Sequence, residues 1–291
     1  LTLKITINTK LPIIFLFGPT ATGKTDLALN LVQKFPVQII SVDSVMVYKG
    51  CDIGSAKPDK QILEKYPHDM VDIISPNKIF SVADFCSTSH KIIKKAHLAK
   101  KIPLFVGGSM MYFKSLLDGM HDLPDREKNY RAELEQRKLQ NGPSYLYDLL
   151  KKKDPVYAEK INKNDETRII RGLEVFKVLN KPLSEILKDK QKKALTNNFS
   201  VLQFGIMDER SNIHERIEKR LKSMFDNGLE QEVKNLLQRY KIPKNHPIRK
   251  SVNYKQFFSY LDNEYDLKTC FDKALYATRQ LAKRQSTWIR G

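Results

Sequence analysis

Cysteine is scarce in this chain. Cys51, Cys86 and Cys270 stand far apart, with no CxxC pair among them. That spacing excludes a zinc ribbon and a disulfide framework, and it reads as ordinary thiols in a reducing cytoplasm. No apolar run is long enough to cross a bilayer, so no membrane partner is expected. The opening "LTLKITINTK" lacks the apolar core and cleavage site of a signal peptide. It also lacks an initiator Met, so trimming of the first residues is expected. Internal repeats are missing as well. Negative charge is the other shortage: 33 Asp and Glu face 51 Lys and Arg, a formal net charge of +18 over 291 residues. A chain this basic is expected to meet a polyanion, nucleic acid being the usual candidate. A lysine-rich proteome would produce the same excess without such a partner.

What is present first is a set of short apolar runs that stop at glycine or a carboxylate, as buried parallel strands do. These are "PIIFLFG" (residues 12–18), "VQIISVD" (37–43) and "IPLFVGG" (102–108). Helical patterns separate them. One follows Lys24 with Leu27, Ala28, Leu31 and Phe35 on one face; another runs through "FSVADFCSTSHKIIKKAHLAKK". Alternation of this kind predicts an α/β fold, a parallel sheet with helices on both faces. After Leu117 the pattern turns helical and charged, with no convincing strand until "VLQFGIM" (201–207). The predicted organisation is an α/β core (10–117), a helical insertion (118–198), and a segment completing the core with basic C-terminal helices (199–291). Within the insertion, "KDKQKKA" (188–194) reads as a solvated loop or helix face.

"GPTATGKT" then supplies chemistry. Gly18, Pro19, Thr20, Ala21, Thr22, Gly23, Lys24 and Thr25 fill the G-x-x-x-x-G-K-[ST] pattern between a strand and a helix. The glycines let backbone amides turn inward on phosphate oxygens; Lys24 adds a point charge, and Thr25 is a candidate Mg²⁺ ligand. Most such cradles serve ATP, but the neighbours here argue otherwise. Ligands collect at the carboxyl ends of parallel strands, so Asp43 and Ser109 are expected in the same cleft as the cradle. The third strand ends in glycines, where many NTPases carry an aspartate for Mg²⁺ and water. One carboxylate, one hydroxyl and a diphosphate site suit a transfer in which diphosphate leaves and Asp43 takes the nucleophile's proton. An ordinary supporting role for Asp43 beside Mg²⁺ is the competing reading.

The stretch "SVDSVMVYKGCDIGSAKP" (41–58) is more specific. With "GPTATGKT", "PHDMVDI", "SVADF", "VGGSMMYFKSLLDG", "NDETRIIRGLEVF" and "ATRQLAKRQSTWIRG", it closely resembles the tRNA dimethylallyltransferases, in order and over essentially the whole chain. The resemblance implies a P-loop kinase-like fold and transfer of a dimethylallyl group from dimethylallyl diphosphate to the N6 amine of adenosine 37 of tRNA. The partners it implies are tRNA, through its anticodon stem-loop, and that diphosphate, with Mg²⁺, in a cytoplasmic monomer. By the same resemblance the cradle holds the diphosphate of the prenyl donor. Asp43 matches the general base, Ser109 the active-site hydroxyl and Arg220 a diphosphate-binding arginine. The matching tRNA contacts are Asp43, Ser44, Val45 and Met46; Arg131; Thr167, Arg168, Ile169, Ile170 and Arg171; and Lys250, Tyr254 and Lys255.

In the last helix Arg279 and Lys283 share a face and are candidates for the tRNA backbone. Trp288 reads as a core anchor, with stacking on RNA the alternative; His68 and the Met110–Met111 pair read as structural. For Arg168 and Arg171 the competing reading is ion pairing with Asp165 and Glu174. Three departures stand out from the resemblance. The usual Gly-Tyr-Arg or Gly-Tyr-Lys is Asn253-Tyr254-Lys255, a flexible glycine lost near the tRNA surface. Ser55 and Ser109 replace threonines and keep a hydroxyl, and the chain stops at "WIRG" where relatives often continue. Rival functions are prenylation of free AMP or ATP, a P-loop small-molecule kinase, and an RNA-binding module with a relic cradle.

Overall fold

The computed structural model describes residues 10–121, 123–188 and 194–290. Most of the opening "LTLKITINTK" and the centre of "KDKQKKA" lie outside them. The described residues form two compact units, one within Leu1–Asp118 and Leu195–Gly291, the other within Gly119–Ala194.

In the first unit, β1 (Leu11–Phe17), β2 (Val37–Val42), β3 (His68–Asp69), β4 (Ile102–Gly107) and β5 (Phe199–Gly205) make one sheet in the order β3-β2-β4-β1-β5. Every pairing is parallel. The three expected strands form within one residue of their predicted ends. The fourth starts two residues early and ends at Gly205. Parallel neighbours need crossovers, and helices supply them: α1 (Lys24–Lys34), α2 (Lys60–Lys65), α3 (Val82–Leu98) and α4 (Met110–Asp118). Ser81 and Asp84 form a reciprocal capping box that starts α3. One sheet face packs Leu16, Val37, Ile39, Leu104 and Val106 against Ala28 of α1. On the other, Phe15 meets Phe105 and Phe113 with ring centroids 5.4 and 5.0 Å apart.

The face of α1 differs from the expected one. Ala28 and Leu31 pack inward, but Leu27 and Phe35 are exposed. The helix approaches the sheet through Ala28, and Leu29 and Val32 complete its contact. Period 3.6 alone does not choose between overlapping apolar stripes; the closest approach does.

The second unit is entirely helical among its described residues: α5 (Lys128–Asn141), α6 (Tyr145–Lys153), α7 (Pro155–Glu159), α8 (Glu166–Leu179) and α9 (Leu183–Ile186). Leu134, Leu146, Leu150, Ala158, Ile169 and Leu173 make its core. It is shorter than the predicted 118–198, because the turn Leu195–Asn197 packs its buried Leu195 toward α4 and β5.

The chain then completes the first unit with α10 (Arg210–Asp226), α11 (Leu229–Arg239), α12 (Pro247–Lys250), α13 (Tyr254–Leu261) and α14 (Leu267–Arg290). The inward stripe of α14 is Cys270, Ala274, Thr278, Ala282 and Gln285. Trp288, read as a core anchor, is instead half-exposed. By spacing it continues that stripe, three residues after Gln285, but it stands in the last turn of α14, where the indole is half open to solvent. No described helix is long and apolar enough to cross a membrane. All three cysteines are free and buried.

Candidate active site at the carboxyl ends of the strands

The carboxyl ends of β1, β2 and β4 open on a cleft of about 650 Å³, lined wholly by the first unit. β4 lies between β2 and β1, which sets Ser109 between the strand ends that carry Asp43 and the 18–25 loop. The Ser109 amide donates to the Val42 carbonyl at 3.2 Å, and its hydroxyl makes no hydrogen bond among the described residues. Thr20, Ala21, Thr22, Gly23, Lys24 and Thr25 line the cleft; Gly18 and Pro19 do not.

The loop is held by its own side chains. Lys24 Nζ donates to the Pro19 carbonyl at 2.5 Å, and Thr22 Oγ1 donates to the same carbonyl at 2.8 Å. Ala21 sits at φ +65°, a sparsely populated conformation for an L residue and one that recurs at ligand sites. From α10, Arg220 Nη2 donates to Thr20 Oγ1 at 2.5 Å. Burial, and then the Arg220 charge, bring the Lys24 ammonium down to about 8, while Asp43 opposes the change. Burial also lowers Arg220, which Asp43 again opposes.

Asp43 follows β2 and closes an Asx turn: Oδ1 accepts the amides of Val45 at 2.7 Å and Met46 at 3.1 Å. Its second oxygen makes no hydrogen bond among the described residues. Burial pushes the carboxyl above its ordinary range; the two amides, Lys24 and Arg220 pull it back. At Gly107, the last residue of β4, backbone blocks any side chain, whereas at Gly108 only the end of a glutamine side chain stands in the way. A Cβ on Gly107 would stand 2.1 Å from the Val42 carbonyl oxygen, and one on Gly108 would stand 2.3 Å from Gln285 Nε2. At Gly107 glycine is a steric demand.

Among the described residues no three His, Cys, Asp or Glu cluster as a metal cage. Thr25 and Asp26 do line the cleft beside Lys24. One hydroxyl and one carboxylate fit an Mg²⁺ held chiefly by phosphate oxygens and water.

The predicted tRNA contacts separate into groups. Ser44, Val45, Met46 and Lys250 line the cleft. Tyr254 does not: it is fully buried, with its hydroxyl donating to Glu232 Oε1 at 2.7 Å. Glu232 also accepts the amides of Asp52, Ile53 and Gly54 at 3.0, 2.6 and 3.1 Å, so Tyr254 helps pin that loop and is corrected to a structural residue. Lys255 is exposed but borders a different groove, with Glu264 and Asp272. Asn253 is buried, not a mobile surface position. It holds the left-handed φ of +71° a glycine would favour and donates to the Gly54 carbonyl at 2.9 Å. Ser55 spends its hydroxyl on the Cys51 carbonyl at 2.7 Å.

Arg279 and Lys283 do share a face of α14, but Thr278, Leu281, Arg284 and Gln285 face the cleft instead. Arg279 is drawn to Glu218 at 3.1 Å. In the second unit, Thr167 and Arg168 are exposed, and Arg168 pairs with Asp165. Ile169 is buried in the core with Ile170 packed against it, which corrects the reading of their side chains as RNA contacts. Arg131 and Arg171 bracket the fully buried Glu174 at 2.8 and 2.7 Å. Burial would raise the Glu174 carboxyl, but the two guanidinium groups and the Glu127 amide hold it at about 2. The ion-pair reading of Arg171 describes this geometry, in a buried setting.

Sequence reasoning missed Arg216, Met224, Arg284 and Gln285, all on the cleft wall, and His68, which lines the cleft too. Gln285 carried a signal: it is a polar residue continuing the apolar stripe of α14 at spacing 4-4-4-3.

The IPP transferase family matches residues 46–291. Among solved structures, a tRNA Δ2-isopentenylpyrophosphate transferase from Staphylococcus epidermidis is 32% identical, with a TM-score of 0.65 over 96% of this chain and 90% of that one. A full-length tRNA isopentenylpyrophosphate transferase from Bacillus halodurans is 32% identical, with a TM-score of 0.69 over 97% and 88%. A eukaryotic dimethylallyltransferase acting on tRNA is 28% identical, with a TM-score of 0.81 over 96% and 70%. Family match and fold thus agree along nearly the whole length, and the chain belongs to the IPP transferase family.

Proposed function

We infer that the protein transfers a dimethylallyl group from dimethylallyl diphosphate to the N6 amine of adenosine 37 in tRNA, releasing diphosphate. The observation that carries this reading is the strand-end arrangement. Asp43, at the end of β2, faces a cradle with two buried cations, and β4 ends in Gly107 and Gly108 where many NTPases carry a carboxylate, with no room for a side chain at Gly107. Family membership supports the reaction class, and the relatives with solved structures are described as tRNA transferases.

The adenine amine is a weak nucleophile because its lone pair is delocalised into the ring. Asp43, with Oδ1 fixed by two amides, offers its other oxygen to the amine proton as nitrogen attacks the allylic carbon. The new N–C bond forms as the C–O bond breaks, and the electron pair leaves on the diphosphate. Lys24 and Arg220 stand where that charge grows, and their burial makes each positive charge count for more than it would in water. Ser109, with its hydroxyl unspent, reaches toward the reacting groups. Mg²⁺ held at Thr25 with Asp26 nearby would add Lewis-acid stabilisation of the leaving group. The amine enters by extrusion of a loop base, which is cheap in a single-stranded anticodon loop. Lys250, Arg216 and Arg284 at the cleft rim meet the RNA backbone.

Labelled dimethylallyl diphosphate offered with tRNA, AMP or ATP tests this directly. Label should enter tRNA alone. Efficient labelling of AMP, or ATP hydrolysis without tRNA, would replace the reading with one of its rivals.

A further inference from the structure

Gln285 belongs neither to the cations of the cleft nor to its carboxylate, yet it is buried in the cleft wall at 8% exposure. Its Oε1 accepts the Thr20 amide at 2.9 Å, and its Nε2 donates to the Gly108 carbonyl at 2.9 Å. One side chain thereby joins three distant stretches: the cradle, the end of β4 and α14. The partners fix its orientation, since a flipped amide would set donor against donor and acceptor against acceptor.

What it joins are the two parts of the site that must stay in register. Thr20 is gripped twice, through its amide by Gln285 and through its hydroxyl by Arg220. Gly108 immediately precedes Ser109, and its backbone passes so close that a Cβ would meet Gln285 Nε2 at 2.3 Å. The bare Gly108 backbone and the Gln285 amide are therefore matched surfaces. Neither backbone group needs Gln285 to avoid a desolvation cost, because both border an open cleft where water can replace it. What water cannot supply is a fixed distance.

Resting on the transfer reaction above, we propose that Gln285 is a positioning residue. It holds the diphosphate cradle and the Ser109 strand end at a set separation from α14, so that donor and acceptor meet in line. A misplacement of about 1 Å at a reacting centre costs about a hundredfold in rate.

Two variants test this, each against wild-type transfer of labelled dimethylallyl to tRNA. If the wild type itself transfers nothing to tRNA, the reaction reading falls and not merely this proposal. Gln285→Met keeps length and removes both hydrogen bonds. Its kcat should fall by about tenfold to a hundredfold, with tRNA affinity and unfolding temperature close to wild type. Gln285→Glu separates positioning from packing. Ionised, the new carboxylate still accepts from Thr20 but opposes the Gly108 carbonyl; protonated, it donates to Gly108 and restores both bonds. Its activity relative to wild type should therefore rise as pH falls from about 8 to about 5.5. A flat ratio, or wild-type kcat in the Met variant, overturns the proposal. If the Met variant is too unstable to assay, the Glu ratio decides alone.

Discussion

Asp43 sits in two unequal surroundings, and its chemistry follows from the difference. One oxygen is tied to backbone amides and the other is left for the substrate, while burial makes the group more basic than an ordinary aspartate. Asp43→Asn keeps the Oδ1 bonds and removes the proton acceptor. Single-turnover transfer should drop by ~10²–10⁴-fold with tRNA affinity retained, and a drop under about tenfold would remove Asp43 from the base role. Lys24 gives a second prediction, in pH. Its ammonium is brought down to about 8, so the charge is complete well below that pH and is lost as pH rises through it. Donor affinity should weaken above pH 8, and at pH 8 diphosphate binding should draw a proton back onto the protein. Calorimetry in buffers of different ionisation heat measures that uptake; none at pH 8 would mean Lys24 does not meet the diphosphate. Both residues were legible in sequence, because a strand that ends on a glycine or a carboxylate announces where it ends. Tyr254 and Ile169 were not, since their burial depends on helices that pack on them from elsewhere.

Elements carry a different kind of information. The sheet, the cradle-to-α1 turn and the helical insertion follow from periodicity that each segment shows on its own. The facing of α14 did not. Arg279 and Lys283 share a side by spacing, but which side meets the cleft is set by packing of Thr278, Ala282 and Gln285 against α10 and the cradle. In α8 the same ambiguity hides a structural core: Arg168 and Arg171 are three apart, yet one meets solvent and the other a buried carboxylate. Arg171→Gln removes one of the two guanidinium partners of Glu174, with Arg131 still paired to it, and should destabilise the helical unit by about 1.5–3 kcal/mol. Arg168→Gln, losing an exposed pair, should cost less than about 0.5 kcal/mol. Hydrogen exchange of α5 and α8 in each variant reads the two costs, and equal effects would refute the distinction. The Glu174 carboxyl, folded at about 2 against an ordinary 4.5, ties the unit to pH as well. A depressed carboxylate contributes stability that is complete above about 4.5 and lost as pH falls toward 2, at most about 3 kcal/mol here. Glu174→Gln should flatten that acid loss.

At the scale of the whole molecule, the excess of +18 is spread over many lysines, and only a few of them stand beside the cleft. The cleft rim gives the excess a place to act. Lys250 is exposed at the end of α12 and borders the cleft, while Lys283 is exposed on α14 next to the cleft-facing Arg284. If these lysines meet RNA phosphates, each pairing releases counterions on binding, and the logarithm of the tRNA affinity falls linearly with the logarithm of salt concentration. Replacing both with Gln should weaken binding to all tRNAs alike, because phosphate contacts carry no sequence information. The log–log slope should become shallower by about 0.7–0.9 for each phosphate that is no longer neutralised, so by about 1.4–1.8 for the pair. Affinity for dimethylallyl diphosphate, measured without tRNA, should stay at the wild-type value, since neither lysine is part of the cradle. Filter binding or anisotropy across a salt series gives the slope. An unchanged slope with reduced affinity would point to a folding defect, and an unchanged slope with unchanged affinity would leave both lysines as solvated charges. Only a slope that moves while donor binding does not would tie the basic excess of this chain to the face on which the cleft opens.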